Sequence, residues 1–312
     1  MQIIRDLSKA TFGGCVATIG NFDGVHLGHQ AMLRHLSMLA QAKKLPLVVV
    51  TFEPLPQEFF AGDQNTLLRL TRLSEKLMLL QAAKVDAVVC LRFNQTVANW
   101  QAETFIEQLL IEQLQVKYLL VGRDFRFGHQ RGGDVNLLSQ YQDAFALEVF
   151  SAVDYQQQRI SSTLIRLALA QGNLAFSNAL LGHRYFIRGR VIYGDQRGRT
   201  MGFPTANIAL RQWKCPLRGV FVVQVQGLAK QPLPGVANVG VRPTVDGRQQ
   251  LLEVHLLDFQ QSIYGKRLRV EFLTQLRDEQ RFTSVAALRQ QIQHDVEQAK
   301  QWWADYATIE LD

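Results

Sequence analysis

Cysteine is scarce in this chain: Cys15, Cys90 and Cys215 are the only three among 312 residues. Their wide spacing supports neither a disulfide framework nor a cluster of metal ligands. Cys15 and Cys90 sit in apolar, strand-like runs and read as small buried hydrophobes. Long apolar stretches are missing as well. Leu45 to Phe52 falls far short of the roughly 20 residues that span a bilayer. Met1 to Gly14 holds no apolar run suited to a signal peptide. There are no internal repeats and no low-complexity tracts. The expectation is a cytoplasmic protein with no membrane partner. What is present is a hydrophobic share of 47% against 20% charged residues, enough to bury a proper core. The length suits two domains.

Charge is unevenly placed. The net value of +7 is carried by one segment. Arg184 to Phe282 holds 16 basic and 7 acidic residues, whereas 1–183 holds 16 and 15. A polyanionic ligand for that segment is one reading, and a solvated basic surface is the other.

Residues 1–160 alternate between two periodicities. Strand-like runs occur at Val16–Gly20, Leu47–Phe52, Asp86–Phe93, Tyr118–Gly122 and Phe145–Val149. Helical patterns at Gln30–Ala42, Leu67–Ala83, Thr96–Leu114 and Val135–Tyr141 lie between them. Such alternation predicts a parallel sheet covered on both faces, with ligands bound beyond the carboxyl ends of the strands. Gly20-Asn21-Phe22-Asp23-Gly24-Val25-His26-Leu27-Gly28-His29 falls at such an end. A helix start favours anions through its unpaired N–H groups and partial positive charge. Two histidines flank that start, and Gly28 leaves room for a ligand, so the stretch reads as a nucleotide phosphate site.

Three further segments belong on the same rim. The prolines of Phe52-x-Pro54-x-Pro56 predict a stiff extended segment with flat apolar surface for a planar ring. Gly122 to Gly128 carries Asp124 and Arg126 on a turn. Ser161, Ser162 and Thr163 cap the next helix, with Arg166 one turn in, within reach of a phosphate at that helix start.

After a helical bridge from Leu164 to Leu181 the pattern changes at Gly182. Short strands rich in Val, Ile and Phe follow at Phe186–Tyr193, Val220–Val225, Gly235–Val239, Leu251–Leu257 and Leu268–Phe272. An antiparallel sheet or small closed barrel is expected. Ser284 to Tyr306 then predicts an amphipathic helix packed on it, with Trp302 and Trp303 as anchors. Domains at 1–182 and 183–312 follow. Gly194, Gly198 and Gly202 recur among Arg197, Arg199 and Thr200, a loop able to present N–H groups to phosphates. In the extended Pro204-Thr205-Ala206-Asn207, Thr205 and Asn207 point the same way. Their oxygens suit Mg²⁺ held together with substrate phosphates. Glu253 and His255 share the polar face of their strand, where a carboxylate can take the proton of an attacking alcohol.

These motifs, in this order, resemble the bacterial bifunctional riboflavin kinases/FAD synthetases. The first module is similar to the adenylyltransferase by Gly20–His29, Phe52-x-Pro54-x-Pro56, Gly122–Gly128 and Ser161-Ser162-Thr163-x-x-Arg166. The second is similar to the kinase by Gly198-Arg199-x-x-Gly202-x-Pro204-Thr205-Ala206-Asn207. Asn238-Val239-Gly240-x-x-Pro243-Thr244, Glu253 to Phe259 and Leu276-Arg277-x-Glu279-x-Arg281-Phe282 support it. The resemblance implies a nucleotidyltransferase-like (Rossmann-like) α/β domain followed by a small antiparallel β-barrel with a C-terminal helix. It implies ATP, riboflavin and FMN as substrates, Mg²⁺ with ATP, and no nucleic acid. It assigns Glu253, His26, His29 and Arg166 to catalysis. To the nucleotide and its phosphates it gives Gly20, Phe22, Asp23, Gly24, Gly28, Ser161, Ser162, Thr163, Gly198, Arg199 and Gly202. Phe52, Pro54, Pro56, Asp124, Asn207 and Arg277 are implied for flavin, and Thr205 with Asn207 for the metal. The expected assembly is a monomer or weak homo-oligomer.

Two rivals make different predictions. A class I aminoacyl-tRNA synthetase fragment shares an H-x-G-H site but needs a lysine-rich loop, whose place Ser161-Ser162-Thr163 with Arg166 takes here. A nucleic-acid-binding barrel needs aromatic residues interleaved with basic ones on exposed strand faces, whereas the basic residues here crowd a glycine loop and turns.

Overall fold

A computed structural model describes residues 1–62, 67–194, 202–210, 213–244 and 247–309. Two compact units emerge: residues 1–67 with 71–162, and residues 68–70 with 163–312. The bridge helices, expected with the first module, group with the second unit apart from Ser162.

The first unit is a six-stranded sheet, all parallel. Its strands are β1 (Gln2–Ile4), β2 (Cys15–Ile19), β3 (Leu47–Glu53), β4 (Ala87–Arg92), β5 (Val116–Gly122) and β6 (Ala146–Phe150). The order is β1-β4-β3-β2-β5-β6. Five of these strands lie where the alternation predicts them. β1 pairs with β4 through Gln2↔Ala87 and was not anticipated, because three residues show no periodicity. The chain winds outward from β2 through β3 to β4, then crosses back to place β5 on the other side of β2. The carboxyl end of β2 is therefore the switch point, where such sheets leave a crevice.

Alternate strand residues feed the two faces. Ala17, Ile19, Val48, Val50, Leu119 and Val121 pack with Ile106, Leu109 and Leu110 on one side. Val16, Val49, Val88 and Leu120 pack with Leu33, Leu36 and Ala40 on the other. Leu33 and Leu36 are fully buried, and truncating either to Ala costs about 2–5 kcal/mol.

The helices are α1 (Leu27–Lys43), α2 (Pro56–Ala61), α3 (Leu73–Ala82), α4 (Gln95–Ala98), α5 (Ala102–Thr104, running on into Phe105–Gln113) and α6 (Val135–Leu138). Three departures from the predicted pattern have local causes. Pro56 starts a helix instead of extending the segment, because proline suits the first helical position. α3 starts at Leu73, where the Glu75 carboxylate accepts from the Arg72 N–H at 2.7 Å. The helix expected over 96–114 breaks after Ala98 and resumes with wide, π-type turns. A small hairpin, β7 (Asp154–Tyr155) with β8 (Gln158–Arg159), was also not anticipated.

The second unit opens with α7 (Ser162–Ala170) and α8 (Leu174–Leu181). A closed barrel follows, built from β9 (Phe186–Ile192), β10 (Ala206–Ala209), β11 (Gly219–Gln226), β12 (Leu233–Thr244), β13 (Gly247–Leu256) and β14 (Arg267–Arg277). The order around it is β10-β13-β12-β11-β14-β9, every pairing antiparallel. Phe221, Val223, Ala237, Leu252, Val254, Val270 and Phe272 are wholly buried. On the outer face, Val220, Val222 and Val236 meet Ala299, Val296, Trp302 and Trp303. These last four belong to α9 (Val285–Ile309), the amphipathic helix that the spacing predicts.

Candidate active sites

In the first unit the loop between β2 and α1 is wound unusually. Phe22, Gly24 and Val25 have φ of 46°, 81° and 42°, a conformation that costs energy for residues other than glycine and clusters at functional sites. Asp23 explains how it holds. Its carboxylate is buried and accepts from the Thr71 N–H at 3.0 Å and hydroxyl at 3.2 Å. The Gly24 N–H donates to the Thr71 hydroxyl at 3.0 Å. Ser162 Oγ donates to the Asp23 carbonyl at 2.9 Å.

His26 then caps α1, with Nδ1 accepting from the His29 N–H at 3.4 Å. The rings of His26 and His29 stack with centroids 3.7 Å apart. Phe22 tilts against His29 at 4.8 Å. A Cβ on Gly28 would stand 3.2 Å from the His26 ring, so this glycine keeps the cap and the stack undisturbed. Burial pushes His29 well below the ordinary histidine value of 6.5, helped by His26 and Lys76. Its Nδ1 has no hydrogen-bond partner among the described residues. The site thus presents neutral imidazole beside a helix start.

Nothing in the sequence distinguishes Lys76 from the other polar residues of its helix. It is completely buried, its ammonium 3.4 Å from Thr51 Oγ1. That hydroxyl lies 3.4 Å from the Asn21 carbonyl, so a cation sits behind the loop.

Two cavities open at this rim. One, of 570 Å³, is lined by Gly20, Phe22, His26, Gly28, His29, Asp124, Ser161 and Ser162. The other, of 430 Å³, is lined by Phe52, Pro56, Phe60, Phe93, Phe105 and Phe125 to Gly128, and shares Gly20, Asp124 and Phe125 with the first. Asp124 is exposed and ion-paired with Arg159, whose hydrogen bond lowers its pKa from the ordinary carboxylate value. Asp23, Gly24 and Pro54 do not line either cavity. Phe60 and Phe93 extend the aromatic wall beyond the predicted residues. The rings of Phe52, Phe59, Phe60 and Phe93 meet edge to face at 5.4–5.7 Å. Thr163 and Arg166 belong to the residues of the second unit.

In the barrel, register sets out the polar groups. Asn207 on β10 stands directly opposite Glu253 on β13, and Glu253 stands opposite Asn238 on β12. The three form a row across adjacent strands. Asn238 Nδ2 lies 3.5 Å from Glu253 Oε2. His255, two residues on, holds the Pro204 carbonyl through Nδ1 at 2.9 Å, which fixes the proton on that nitrogen. Thr205, Asn238, Glu253, His255 and Arg277 line a 390 Å³ cavity whose other wall is Leu288, Ile292, Asp295 and Val296 of α9. A second cavity of 270 Å³ lies past Pro204 and Thr205, against Val191 and Tyr264.

Asn207 is 5% exposed, and its Oδ1 accepts no hydrogen bond among the described residues. A buried acceptor left so is unusual; together with the Thr205 hydroxyl it fits a hard cation. A Cβ at Gly194 would fall 2.4 Å from the Asn207 amide, so that glycine gives the amide its space.

Arg277 is committed to protein. Its Nε and Nη2 bind Asp295 at 2.8–3.1 Å, and Nη1 donates to the Asp278 carbonyl at 3.0 Å. It therefore straps the end of β14 to α9 while lining the pocket. Gly202 has φ of 91°. Gly198 and Arg199 lie outside the described residues.

An α/β unit followed by a closed barrel, each carrying a candidate site, is the architecture of a two-module transferase. A family model described as FAD synthetase matches residues 8–164, and one described as riboflavin kinase matches residues 181–303. A bifunctional riboflavin kinase/FMN adenylyltransferase of Escherichia coli K12 is 48% identical over 97% of this chain and 98% of its own length. That of Pseudomonas fluorescens is 43% identical over 96% and 97%. A solved structure described as a macrolide-efflux protein from Streptococcus pneumoniae aligns with a TM-score of 0.80 at 31% identity, covering 96% of this chain and 98% of that one. Among the described residues, no helix is long and apolar enough to cross a membrane. The chain belongs to the bifunctional riboflavin kinase/FMN adenylyltransferase family.

Proposed function

We propose that the two reactions divide between the units, each using the residues its chemistry requires. In the barrel, the terminal ribityl hydroxyl of riboflavin attacks the γ-phosphorus of ATP. The new P–O bond forms as the bond to ADP breaks, and the proton passes to Glu253. An alcohol is a weak nucleophile at neutral pH, so a positioned base speeds the step. Asn238 orients that carboxylate, while His255 steadies the Pro204 segment that carries Thr205. Thr205 and Asn207 would hold Mg²⁺, which would supply neutralisation of the phosphate charge. Gly198, Arg199 and Gly202 take the phosphates.

In the first unit a phosphate oxygen of FMN attacks the α-phosphorus of a second ATP, giving FAD and pyrophosphate. That nucleophile is already anionic, because a phosphate monoester has its second pKa near about 6. No base is needed. His26 and His29 donate from their N–H groups to the phosphates, alongside the α1 start, and with Arg166 they stabilise the charge that develops. Gly20, Phe22, Gly28, Ser161, Ser162 and Thr163 shape the nucleotide site; Asp23 and Gly24 keep its loop wound. Phe52 and Pro56 face the flavin ring, Pro54 positions them, and Asp124 stands where the two cavities meet. The same reading makes the enzyme cytoplasmic, a monomer or weak homo-oligomer, with no nucleic-acid partner.

The observation that carries the division is the Asn207–Glu253–Asn238 row with its unsatisfied buried oxygen. Glu253→Gln and Asn207→Ala are expected to abolish FMN formation yet leave FAD formation from supplied FMN within about twofold. His29→Ala is expected to do the reverse. Separation of flavins after incubation with ATP and Mg²⁺ reads both activities. Loss of both in any one variant would refute two independent centres.

A further inference from the structure

Glu279 lies in the irregular segment after β14 and lines the barrel cavity with Glu253, Asn238 and His255. β11 stops pairing at Gly219 opposite Val239, while β12 runs on through Gly240, paired only with Leu251 of β13. The Glu279 carboxylate rests over Gly240, on the face of β12 that Asn238 shares. A Cβ built on Gly240 would stand 2.3 Å from Glu279 Oε1 and 3.2 Å from Asn238 Nδ2. Gly240 is the seat of that carboxylate, and any side chain there would evict it.

The seated carboxylate has no hydrogen-bond or ion-pair partner among the described residues. Arg277, the cation two residues away, is taken up by Asp295 and the Asp278 carbonyl. An exposed anion lining a cavity, with no donor from the described residues, is matched by a ligand rich in hydroxyls. A carboxylate offers about four lone-pair sites, so it can accept from two neighbouring hydroxyls at once. Its hydrogen bonds are of the charge-assisted kind. Glu253 is reserved for the hydroxyl that reacts. The remaining hydroxyls of a ribityl chain need acceptors of their own.

We propose that Glu279 is the specificity-determining carboxylate that recognises the non-reacting ribityl hydroxyls of riboflavin. The inference rests on the kinase reading of this cavity. It separates the polyol from the ring: Glu279 selects flavins that carry the chain and is indifferent to the isoalloxazine.

The test uses the full chain, riboflavin as substrate and lumiflavin, which has the ring but no polyol, as competitor. Glu279→Gln and Glu279→Ala are expected to raise the KM for riboflavin about 10- to 100-fold, the loss of charge-assisted hydrogen bonds. The kcat is expected to stay within about threefold and lumiflavin inhibition within about twofold. Gly240→Ala reproduces the KM rise by displacing the carboxylate, and adds nothing in a Glu279→Ala background. FAD formation from FMN in the same preparations reports intact protein. An unchanged KM, equal weakening of lumiflavin, a fall in kcat at constant KM, or an additive double variant would each overturn the assignment. Wild-type protein that forms no FMN would instead overturn the kinase reading itself.

Discussion

Removing the Asp295 carboxylate tests whether Arg277 is a strut or a flavin ligand. Asp295 is 2% exposed and accepts from Arg277 Nε and Nη2 at 2.8–3.1 Å and from Gln291 at 2.9 Å. Asp295→Ala leaves a guanidinium in the pocket wall without its counter-charge. Breaking a buried pair from one side costs about 3–5 kcal/mol. For a unit of this size that corresponds to a fall of roughly 10 °C in the midpoint of barrel unfolding. Asp295→Asn keeps shape and part of the hydrogen bonding, so about half that fall is expected. Calorimetry gives the midpoint, and hydrogen exchange across 285–309 shows whether α9 loosens first. A shift below about 2 °C, with the riboflavin KM raised, would refute the strut and make Arg277 a direct flavin contact.

Two further outcomes follow from burial. His29 is held below the ordinary value of 6.5, so the unfolded chain gains a proton that the folded chain refuses as pH drops past that value. Stability is therefore complete above pH 6.5 and declines below it; His29→Gln is expected to flatten the fall in melting temperature between about pH 7 and pH 5, and an unchanged slope would refute the assignment. All three cysteines are buried and free, and burial pushes the Cys15 thiol up to about 12. Iodoacetamide at mildly alkaline pH is expected to leave Cys15 unmodified in native protein and to label it in denaturant, as peptide mass spectrometry would show.

Much of this was legible because periodicity reports burial. Val16 to Ile19 and Leu47 to Phe52 are apolar on both faces, as a covered parallel strand must be, and the Gly-rich turns announced the antiparallel half. The hidden parts are those where distant residues meet. Thr71 secures Asp23 from a position 48 residues away, and no local pattern marks it. Lys76 resembles any helix-surface lysine until the helix docks. The pairing of Asn207 with Glu253 and Asn238 depends on barrel register, which strand propensity leaves open. Pro56 was legible as rigid but not as a helix start, because proline's fixed φ suits both an extended segment and the first helical turn.

Register has a consequence for how such a chain can change length. One residue inserted within β13 would turn Glu253 inward and Val254 outward. A closed barrel has no free edge at which to absorb the slip. Insertions and deletions are therefore expected at connections such as 227–232 and 257–266, and a comparison of barrel lengths among relatives should find the strands nearly constant. The loops are free to drift in length, while the strands that align the carboxylate with its two asparagines are not.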